Sequence, residues 1–395
     1  MPRPFYEFFC PVKIIAGHEA IGHLPFELIT RGRSRPLIVT DAGVRAARLL
    51  APVVDALESA ALACGAVFDD VPQDGSLDTV RAAAQAFRAA RCDALVAIGG
   101  GSVIDTAKAV NLLVSEGGED LLAYSGAHNL RRPLGPLVVV PTTAGTGSEV
   151  TLVAMISDLA GGRKIPFTSH FLLPDVAVLD PRMTITLPAF ATAMTAMDAL
   201  THAIEAFTCL AANPISDAYA GAAVGKIARH LLPVMDHPGD TQGRLELAQA
   251  STMAGIAFSN SMVGLVHSLG HALGARAHLP HGVCMSLLLP FVLEYNLEAR
   301  AERIGELMLP LAGADAWAAT PAARRAPAAI EAIRRLRDAL HARCGLPRTL
   351  AETGKVERAH LPEIVELAID DGSIVFNPAE ADRSDLLALL ERAWG

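Results

Sequence analysis

The chain has 395 residues, of which 51% are hydrophobic and 19% are charged. This composition predicts a folded protein with a sizeable core and room for two domains, and it argues against disorder. The formal net charge of −9 argues against nucleic acid as a main partner, because neutralising phosphates requires a basic surface.

The six cysteines are scattered and include no Cys-x-x-Cys pair, which favours reduced thiols over a disulfide framework. The N-terminus lacks the apolar run and cleavage site of a signal peptide. No apolar stretch free of charges and helix breakers is long enough to span a membrane. We therefore expect a cytoplasmic protein with no membrane partner.

Four short apolar runs in the first half are typical of strands buried on both faces of a parallel sheet. They are Pro36–Thr40, Ala94–Ile98, Leu137–Val140 and Val176–Leu179. Stretches with helical spacing lie between them, such as Ala46–Cys64 and Leu77–Arg91. The alternation of strand and helix predicts a doubly wound α/β domain.

After Asp180-Pro181 the pattern is helical almost to the end of the chain, which predicts an all-α second domain. The clearest predicted helices are Ala189–Leu210, Pro214–Leu232, Gly243–Asn260 and Val263–Ala277. We place the boundary near residue 185, which gives domains over residues 1–185 and 186–395.

Residues 311–343 are rich in alanine and arginine and leave open a low-complexity linker. We predict a loose loop there, leading into a surface helix over Ile330–Leu340. Gly345 is the expected stop signal of that helix.

A glycine-rich turn, Gly99–Ser102, follows the second predicted strand and precedes the helical run Val103–Leu113. Glycines between a strand and a helix N-terminus let backbone N–H groups approach a phosphate. The spacing differs from the G-x-G-x-x-G dinucleotide fingerprint. The turn therefore predicts either a phosphate loop or a tight turn without a ligand.

Two further segments follow predicted strands at the sheet edge where ligands bind in open α/β sheets. Asp41 could accept hydrogen bonds from the ribose of NAD and would repel the 2′-phosphate of NADP; the alternative is a helix N-cap or a turn. The loop Pro141–Glu149 is dense in hydroxyls and glycines. It could wrap a ribose, a phosphate or a nicotinamide, or be a polar surface loop, and its place beside the glycine turn favours binding.

The second half contains six candidate metal ligands: Asp198, His202, His267, His271, His278 and His281. The first two are four residues apart, as are the third and fourth, so each pair shares a helix face. A lone histidine is more often a core or surface residue, but four of these lie in one short segment. One carboxylate with three imidazoles makes a complete shell for a divalent transition metal. Spacing alone does not choose among the six, and a histidine that stays unbound near the metal could relay a proton.

Five motifs together resemble those of the iron-containing, or group III, alcohol dehydrogenases. They are GGGSVIDTAK (Gly99–Lys108), PTTAGTGSEVT (Pro141–Thr151), LPDVAVLDP (Leu173–Pro181), MDALTHAIEAF (Met197–Phe207) and GLVHSLGHALGARAHLPHG (Gly264–Gly282). The resemblance runs in the family's order over nearly the whole chain. It implies an N-terminal Rossmann-like α/β domain and an all-α C-terminal domain, a fold similar to that of dehydroquinate synthases, with the active site in the cleft between them.

The resemblance also implies an activity and its residues. The activity is metal-dependent hydride transfer between a primary alcohol, or an aldehyde in reverse, and NAD or NADP, with Fe²⁺ or alternatively Zn²⁺; of the two nucleotides, Asp41 favours NAD. By resemblance, Asp198, His202, His267 and His281 bind the metal, and His271 moves a proton. The cofactor contacts carry over to Asp41, Gly99, Gly100, Gly101, Ser102, Thr142, Thr143, Thr146, Ser148 and Lys164. A homodimer or larger homo-oligomer is also expected.

The substrate is less well indicated than the reaction. Phe258 is expected in the pocket wall, although a core aromatic is an equal alternative, and Lys164 could equally be an exposed charge. Val153 stands at a pocket position that is polar in some relatives, and residues 71–74 and 168–172 also depart from the family pattern. The alternatives are a maleylacetate, phosphonate-aldehyde or hydroxyacid reductase on the same fold, or a non-catalytic NAD- or metal-binding module. The complete ligand set disfavours the maleylacetate group and the module.

Overall fold

The computed structural model describes residues 5–159, 161 and 163–395. These residues form two compact units. The first, from Cys10 to Leu187, combines strands and helices, and the second, from Pro188 to Gly395 with the stretch ending at Phe9, is helical. The predicted fold class, a Rossmann-like α/β part followed by an all-α part, is confirmed.

The described part of the first unit contains nine strands and five α-helices. The strands are β1 (Lys13–Ala16), β2 (Pro36–Val39), β3 (Ala66–Phe68), β4 (Ala94–Gly99), β5 (Gly126–Ala127), β6 (Leu137–Pro141), β7 (Val153–Asp158), β8 (Arg163–Thr168) and β9 (Val176–Leu179). The helices are α1 (Leu24–Thr30), α2 (Ala42–Ala46), α3 (Ala51–Ser59), α4 (Leu77–Ala89) and α5 (Gly101–Glu116).

Six of the strands form one parallel sheet in the order β1-β9-β6-β4-β2-β3. Along β4, Leu95 and Ala97 face an apolar core shared with α4 and α5. Val96 and Ile98 face a second core shared with α1 and α3. Both faces of the sheet are therefore buried, which explains why the strands read as continuous apolar runs without polar alternation.

A second, small sheet pairs β7 with β8 antiparallel and β5 with β8 parallel. The sequence pattern does not predict this sheet, because β8 begins with Arg163 and Lys164 and contains Pro166. Charged and proline residues of this kind are typical of exposed edges and turns, and only the packing of Ile165 and Phe167 into the core makes the strand recognisable.

The predicted helix Ala46–Cys64 is wrong as a single element. The structure has α2 and α3 with a turn between them, in which Arg48 adopts a left-handed conformation with φ 59°. Pro52 lies in the first turn of α3, where its missing N–H costs no helical hydrogen bond. The helix is thus interrupted between Ala46 and Ala51, although the side-chain pattern predicts one continuous helix.

The described helical unit contains eleven α-helices. They are α6 (Ala189–Thr208), α7 (Pro214–Asp236), α8 (Thr241–Ser259), α9 (Leu265–Ala277), α10 (His281–Tyr295), α11 (Leu297–Glu306), α12 (Met308–Ala312), α13 (Ala314–Ala319), α14 (Ala322–Cys344), α15 (Leu361–Ile369) and α16 (Arg383–Trp394). The first four confirm the four predicted helices to within a few residues at each end.

The prediction of a loose loop within residues 311–343 is wrong, because α12, α13 and α14 occupy most of this segment. Alanine and arginine are strong helix formers, and Ile330 and Ile333 bury one face of α14. The stop signal is confirmed: Gly345 ends α14 in the left-handed conformation, with φ 72°.

Among the described residues, no single helix is long and apolar enough to cross a membrane. Only α10 and α11 taken together reach the required length and composition, and the two helices are bent by 114° where they meet.

Candidate functional site

One face of α6 gathers three polar groups. Asp198, His202 and Glu205 follow one another at spacings of four and three residues, so they project from the same side of the helix. All three residues are buried. The segment is rich in alanine, the strongest helix former, and α6 continues unbroken through all three positions. Two carboxylates on a buried face require partners, since buried charges are paired, hydrogen-bonded or bound to metals.

Two further helices supply the remaining histidines. α9 begins directly after Gly264 and carries His267 and His271 one turn apart. His281 is the first residue of α10. Pro280 lies at the helix boundary, where the absence of an N–H leaves the helical ladder intact.

One ligand atom from each of Asp198, His202, His267 and His281 lies within 4.8 Å of the others. Asp198 Oδ1 is 3.3 Å from His281 Nε2 and 3.8 Å from His202 Nδ1. The rings of His202 and His267 have centroids 4.6 Å apart. Three of the four side chains are buried, whereas that of His281 is 37% exposed. The structure thus brings together the four residues predicted as metal ligands.

The charge state of this cluster fits a divalent cation. Burial raises the pKa of the Asp198 carboxyl to about 8, so the carboxylate needs a nearby positive charge to remain ionised at neutral pH. Burial also holds the pKa of His267 well below its usual value, which favours the neutral imidazole that metals bind. Asp198 Oδ1 and His267 Nε2 are buried without a hydrogen-bond partner among the described residues. A transition metal such as Fe²⁺ or Zn²⁺ would satisfy both atoms.

Glu205 is a site residue that the sequence reasoning missed. Its carboxylate accepts hydrogen bonds from the backbone N–H groups of Gly264 at 3.0 Å and Val266 at 2.7 Å. Its Oε2 also lies 2.5 Å from His267 Nδ1. Burial raises the pKa of Glu205 to about 7, while the backbone donors oppose this shift. The carboxylate fixes His267 with Nδ1 protonated, which leaves Nε2 free to bind a metal.

We expect Glu205→Gln to weaken metal binding by about 10- to 100-fold, the usual cost of losing such an outer partner. Both carboxylate oxygens of Glu205 accept hydrogen bonds from Gly264 N, Val266 N or His267 Nδ1. In glutamine one of these oxygens becomes an N–H₂ group, which cannot accept, so at least one of the three contacts is lost. The affinity is measured by competition with a chromophoric chelator. Glu302→Gln, an exposed change on α11, is the matched control, and equal affinities in the two variants would contradict the prediction.

His271 lies outside the four-donor group but beside it. Its ring stacks on that of His281, with centroids 5.4 Å apart, and its Nδ1 is 2.8 Å from Asp371 Oδ2. Burial opposes ionisation of Asp371, but the hydrogen bond and charge of His271 hold the pKa of this carboxyl well below its usual value. The structure therefore supplies His271 with an orienting carboxylate that the sequence reasoning missed. His278 is exposed and ends α9 in the left-handed conformation.

Phe258, the predicted pocket residue, stacks on His202 with ring centroids 4.3 Å apart. Its side chain is half-buried and lies against the donor cluster. Val153, the other predicted pocket residue, begins β7 in the α/β unit, and its side chain is also half-buried.

The predicted cofactor loops touch each other in the α/β unit. Gly100 and Gly101 lie at the start of α5, and Thr142 N donates to Gly99 O at 3.0 Å. A Cβ placed on Gly101 would lie 2.8 Å from the Thr146 side chain, and one on Gly100 would lie 3.3 Å from that of Thr143. A side chain at Gly101 would therefore displace Thr146, whereas one at Gly100 would need only a small shift of Thr143, so the glycine turn packs closely against the loop after β6.

Ser148 belongs to a polar network at the end of that loop. Its Oγ donates to Asp105 Oδ1 at 2.5 Å and accepts from Lys108 Nζ at 3.2 Å. Lys108 is completely buried and also donates to Thr151 O at 2.8 Å and to Val153 O at 2.9 Å. Burial lowers the pKa of Lys108 to about 8, and Asp105 opposes this shift. Asp105 and Lys108 both lie in the motif Gly99–Lys108, but the sequence pattern predicts no role for either residue.

Three other predicted cofactor residues are engaged within the unit. Ser102 Oγ accepts a hydrogen bond from Asp74 N at 3.0 Å, and Lys164 Nζ donates to Asp74 Oδ1 at 2.8 Å. Asp41 Oδ1 accepts from Val44 N at 2.8 Å and so caps α2, which was the alternative to ribose binding. The second carboxylate oxygen of Asp41 takes no part in this cap.

Comparison with known proteins gives matches over nearly the whole chain. The family model described as "Iron-containing alcohol dehydrogenase" matches residues 11–181, and that described as "Fe-containing alcohol dehydrogenase family, C-terminal" matches residues 192–394. The chain is 36% identical to the NAD-dependent methanol dehydrogenase of Bacillus methanolicus over 98% of this chain and 99% of that protein. It is 35% identical to the 1,3-propanediol dehydrogenase of Klebsiella pneumoniae, with both chains covered completely. A solved structure of a 1,3-propanediol oxidoreductase superposes with a TM-score of 0.93 at 34% identity, covering 98% of this chain and 100% of that one.

Proposed function

Because the chain belongs to the iron-containing alcohol dehydrogenase family, we propose that it is a metal-dependent alcohol dehydrogenase that transfers a hydride between a primary alcohol and NAD. In the reverse direction the same enzyme reduces an aldehyde. Methanol and 1,3-propanediol, the substrates in the names of two relatives, are both primary alcohols and support this substrate class. The observation that carries the proposal is the cluster of four donor atoms within 4.8 Å of one another.

Asp198, His202, His267 and His281 would hold the metal, with Fe²⁺ as the proposed ion and Zn²⁺ as the alternative. The metal supplies Lewis acidity that polarises an alcohol or carbonyl oxygen, and NAD supplies the hydride acceptor. Glu205 keeps His267 in the ligating tautomer. We propose that His271, oriented by Asp371, carries the proton released by the alcohol.

We assign nucleotide binding to residues 1–185 and metal binding with catalysis to residues 186–395. The cofactor contacts proposed are Asp41, Gly99, Gly100, Gly101, Ser102, Thr142, Thr143, Thr146, Ser148 and Lys164. The packing of the glycine turn against Thr143 and Thr146 supports this set, because it forms a continuous loop surface at the carboxyl ends of β4 and β6. We assign Val153 and Phe258 to the substrate pocket.

Removal of the metal tests the proposal directly. Protein treated with a chelator should lose NADH formation from short primary alcohols and diols by roughly 1,000-fold or more, because Lewis-acid stabilisation is worth several kcal/mol and each 1.36 kcal/mol is tenfold in rate. Fe²⁺ added without oxygen, or Zn²⁺, should restore the activity, followed as NADH absorbance. Full turnover in a preparation shown by elemental analysis to lack metal would refute the mechanism.

We also propose that the enzyme is cytoplasmic and forms a homodimer or larger homo-oligomer. All six cysteines are thiols, which suits a reducing compartment. The oligomer follows from the family resemblance and is measured by light scattering coupled to gel filtration.

A further inference from the structure

We propose that Asn377 is a positioning residue for the metal centre, acting with Asn296 by fixing the first turn of the helix that carries His267. Asn377 lies between α15 and α16, more than one hundred residues beyond His267 in the sequence. The inference rests on the proposed function in one respect, because it takes the four-donor cluster as a metal site.

The first turn of α9 depends on partners from elsewhere in the chain. A helix N-terminus leaves its first N–H groups without intrahelical acceptors, and Gly264 at this boundary has no side chain to cap them. Glu205 accepts from Gly264 N and Val266 N, as described above. Leu265 N, between them, points to Asn377 Oδ1 at 3.4 Å. Because His267 is the third residue of the helix, the position of its ring follows from how these N–H groups are held.

Asn377 is itself held by a reciprocal pair of amide hydrogen bonds. Asn296 Nδ2 donates to Asn377 Oδ1 at 2.9 Å, and Asn377 Nδ2 donates to Asn296 Oδ1 at 2.8 Å. Asn377 Nδ2 also donates to Ala379 O at 2.8 Å. Both residues are buried, with 3% of Asn296 and 5% of Asn377 exposed. A buried polar pair with its hydrogen bonds made is rigid, whereas the loss of one member leaves the other unsatisfied.

The pair connects two of the helices that carry metal ligands. Asn296 lies at the end of α10, the helix that begins with His281. Asn377 lies against the start of α9, close to His267. The distance between the two helices is therefore fixed by a specific polar contact as well as by apolar packing.

The segment around Asn377 also holds α9 further along its length. Ser268 Oγ donates to Ala368 O at 2.7 Å, and His271 Nδ1 lies 2.8 Å from Asp371 Oδ2. Leu265, Ser268 and His271 are spaced by three residues, so their contacts follow one side of the helix. Of these three contacts, the one made by Asn377 is at the first residue of α9, two residues before His267.

The test is a double-mutant cycle read out as metal affinity. Zn²⁺ binding to the wild type, Asn377→Ala, Asn296→Ala and the double variant is measured by competition with a chromophoric chelator. We expect each single change to weaken Zn²⁺ binding by about 10-fold or more, by analogy with the loss of other outer-shell partners. The double variant should be no weaker than the worse single variant, because residues that act as one unit are not additive. Asn129→Ala, in the α/β unit, is the control and should bind Zn²⁺ as the wild type does.

Thermal unfolding of the metal-free proteins separates positioning from general stability. A variant with a lower melting temperature but unchanged Zn²⁺ affinity would overturn the inference. So would a double variant whose loss of Zn²⁺ binding free energy equals the sum of the losses in the two single variants. Asn377→Asp keeps an acceptor for Leu265 N but loses both Nδ2 hydrogen bonds and places a buried carboxylate oxygen against Asn296 Oδ1 and Ala379 O, so we expect a loss of affinity at least as large as in Asn377→Ala. If Asn377→Ala does not fold, Asn296→Ala decides the question.

The same experiment distinguishes a failure of this inference from a failure of the proposed function. A wild type that binds no metal refutes both. A wild type that binds Zn²⁺ but oxidises no alcohol refutes the proposed reaction alone, and the affinities still test the role of Asn377.

Discussion

Replacement of His267 by alanine is expected to abolish metal binding and alcohol oxidation together. The imidazole is buried and held by Glu205 at 2.5 Å, and burial keeps its pKa well below the usual value, which favours the neutral ring that a metal binds. Loss of the metal should lower kcat/KM by roughly 1,000-fold or more, since Lewis-acid catalysis contributes several kcal/mol. Elemental analysis of the purified variant and NADH absorbance with a primary alcohol measure the two losses.

His278→Asn is the matched control for this experiment. His278 is an exposed histidine that ends the same helix, and asparagine tolerates its left-handed conformation, with φ 51°. This variant should keep both metal and activity. A His267→Ala protein that retained a full complement of metal would show that the four-donor cluster is not the binding site.

The second large effect is expected on stability. Lys108→Met should lower the free energy of unfolding by about 3–5 kcal/mol, the usual cost of leaving a buried charge without the opposite charge that stabilises it. The ammonium is completely buried and hydrogen-bonds to Ser148, Thr151 and Val153, so its loss leaves these acceptors unsatisfied and Asp105 without its nearby cation. Chemical denaturation followed by circular dichroism measures the change.

Two further variants show whether the charge is the cause. Lys355→Met removes an exposed lysine and should change the free energy of unfolding by less than about 0.5 kcal/mol. Adding Asp105→Asn to Lys108→Met should recover part of the lost stability, because the carboxylate that lacks a partner is then gone. A Lys108→Met protein as stable as the wild type would show that the buried ammonium does not stabilise the fold.

The parts of the fold that the sequence predicted are those with a local pattern. The run Val176–Leu179 coincides with β9 because a strand buried on both faces needs only apolar residues. The break between α2 and α3 was not predictable in this way, since it depends on a positive φ at Arg48 that side-chain periodicity does not record. The small sheet was missed for a related reason: β8 reads as a polar segment until its partner β7 is in place.

In the donor cluster, too, the sequence predicted the residues that follow a local pattern and missed those that do not. Spacing within α6 and α9 placed Asp198, His202 and His267 on helix faces, but only the family resemblance selected four ligands among six candidates. Glu205 could have been found, because it continues the face of Asp198 at a helical spacing of seven residues. Asp371 and Asn377 could not, since their partners on α9 lie about one hundred residues away and no local pattern connects them.

The pairing of β1 with β9 has a consequence for how the protein is made. Lys13 pairs with Val176, so β1 leaves the ribosome long before its neighbour β9 has been synthesised. At about 5–20 residues per second, this delay is on the order of ten seconds. Such non-local parallel pairing also slows folding once the chain is complete. The nascent chain therefore carries an unpaired apolar strand for seconds, a period in which chaperones compete with aggregation for it.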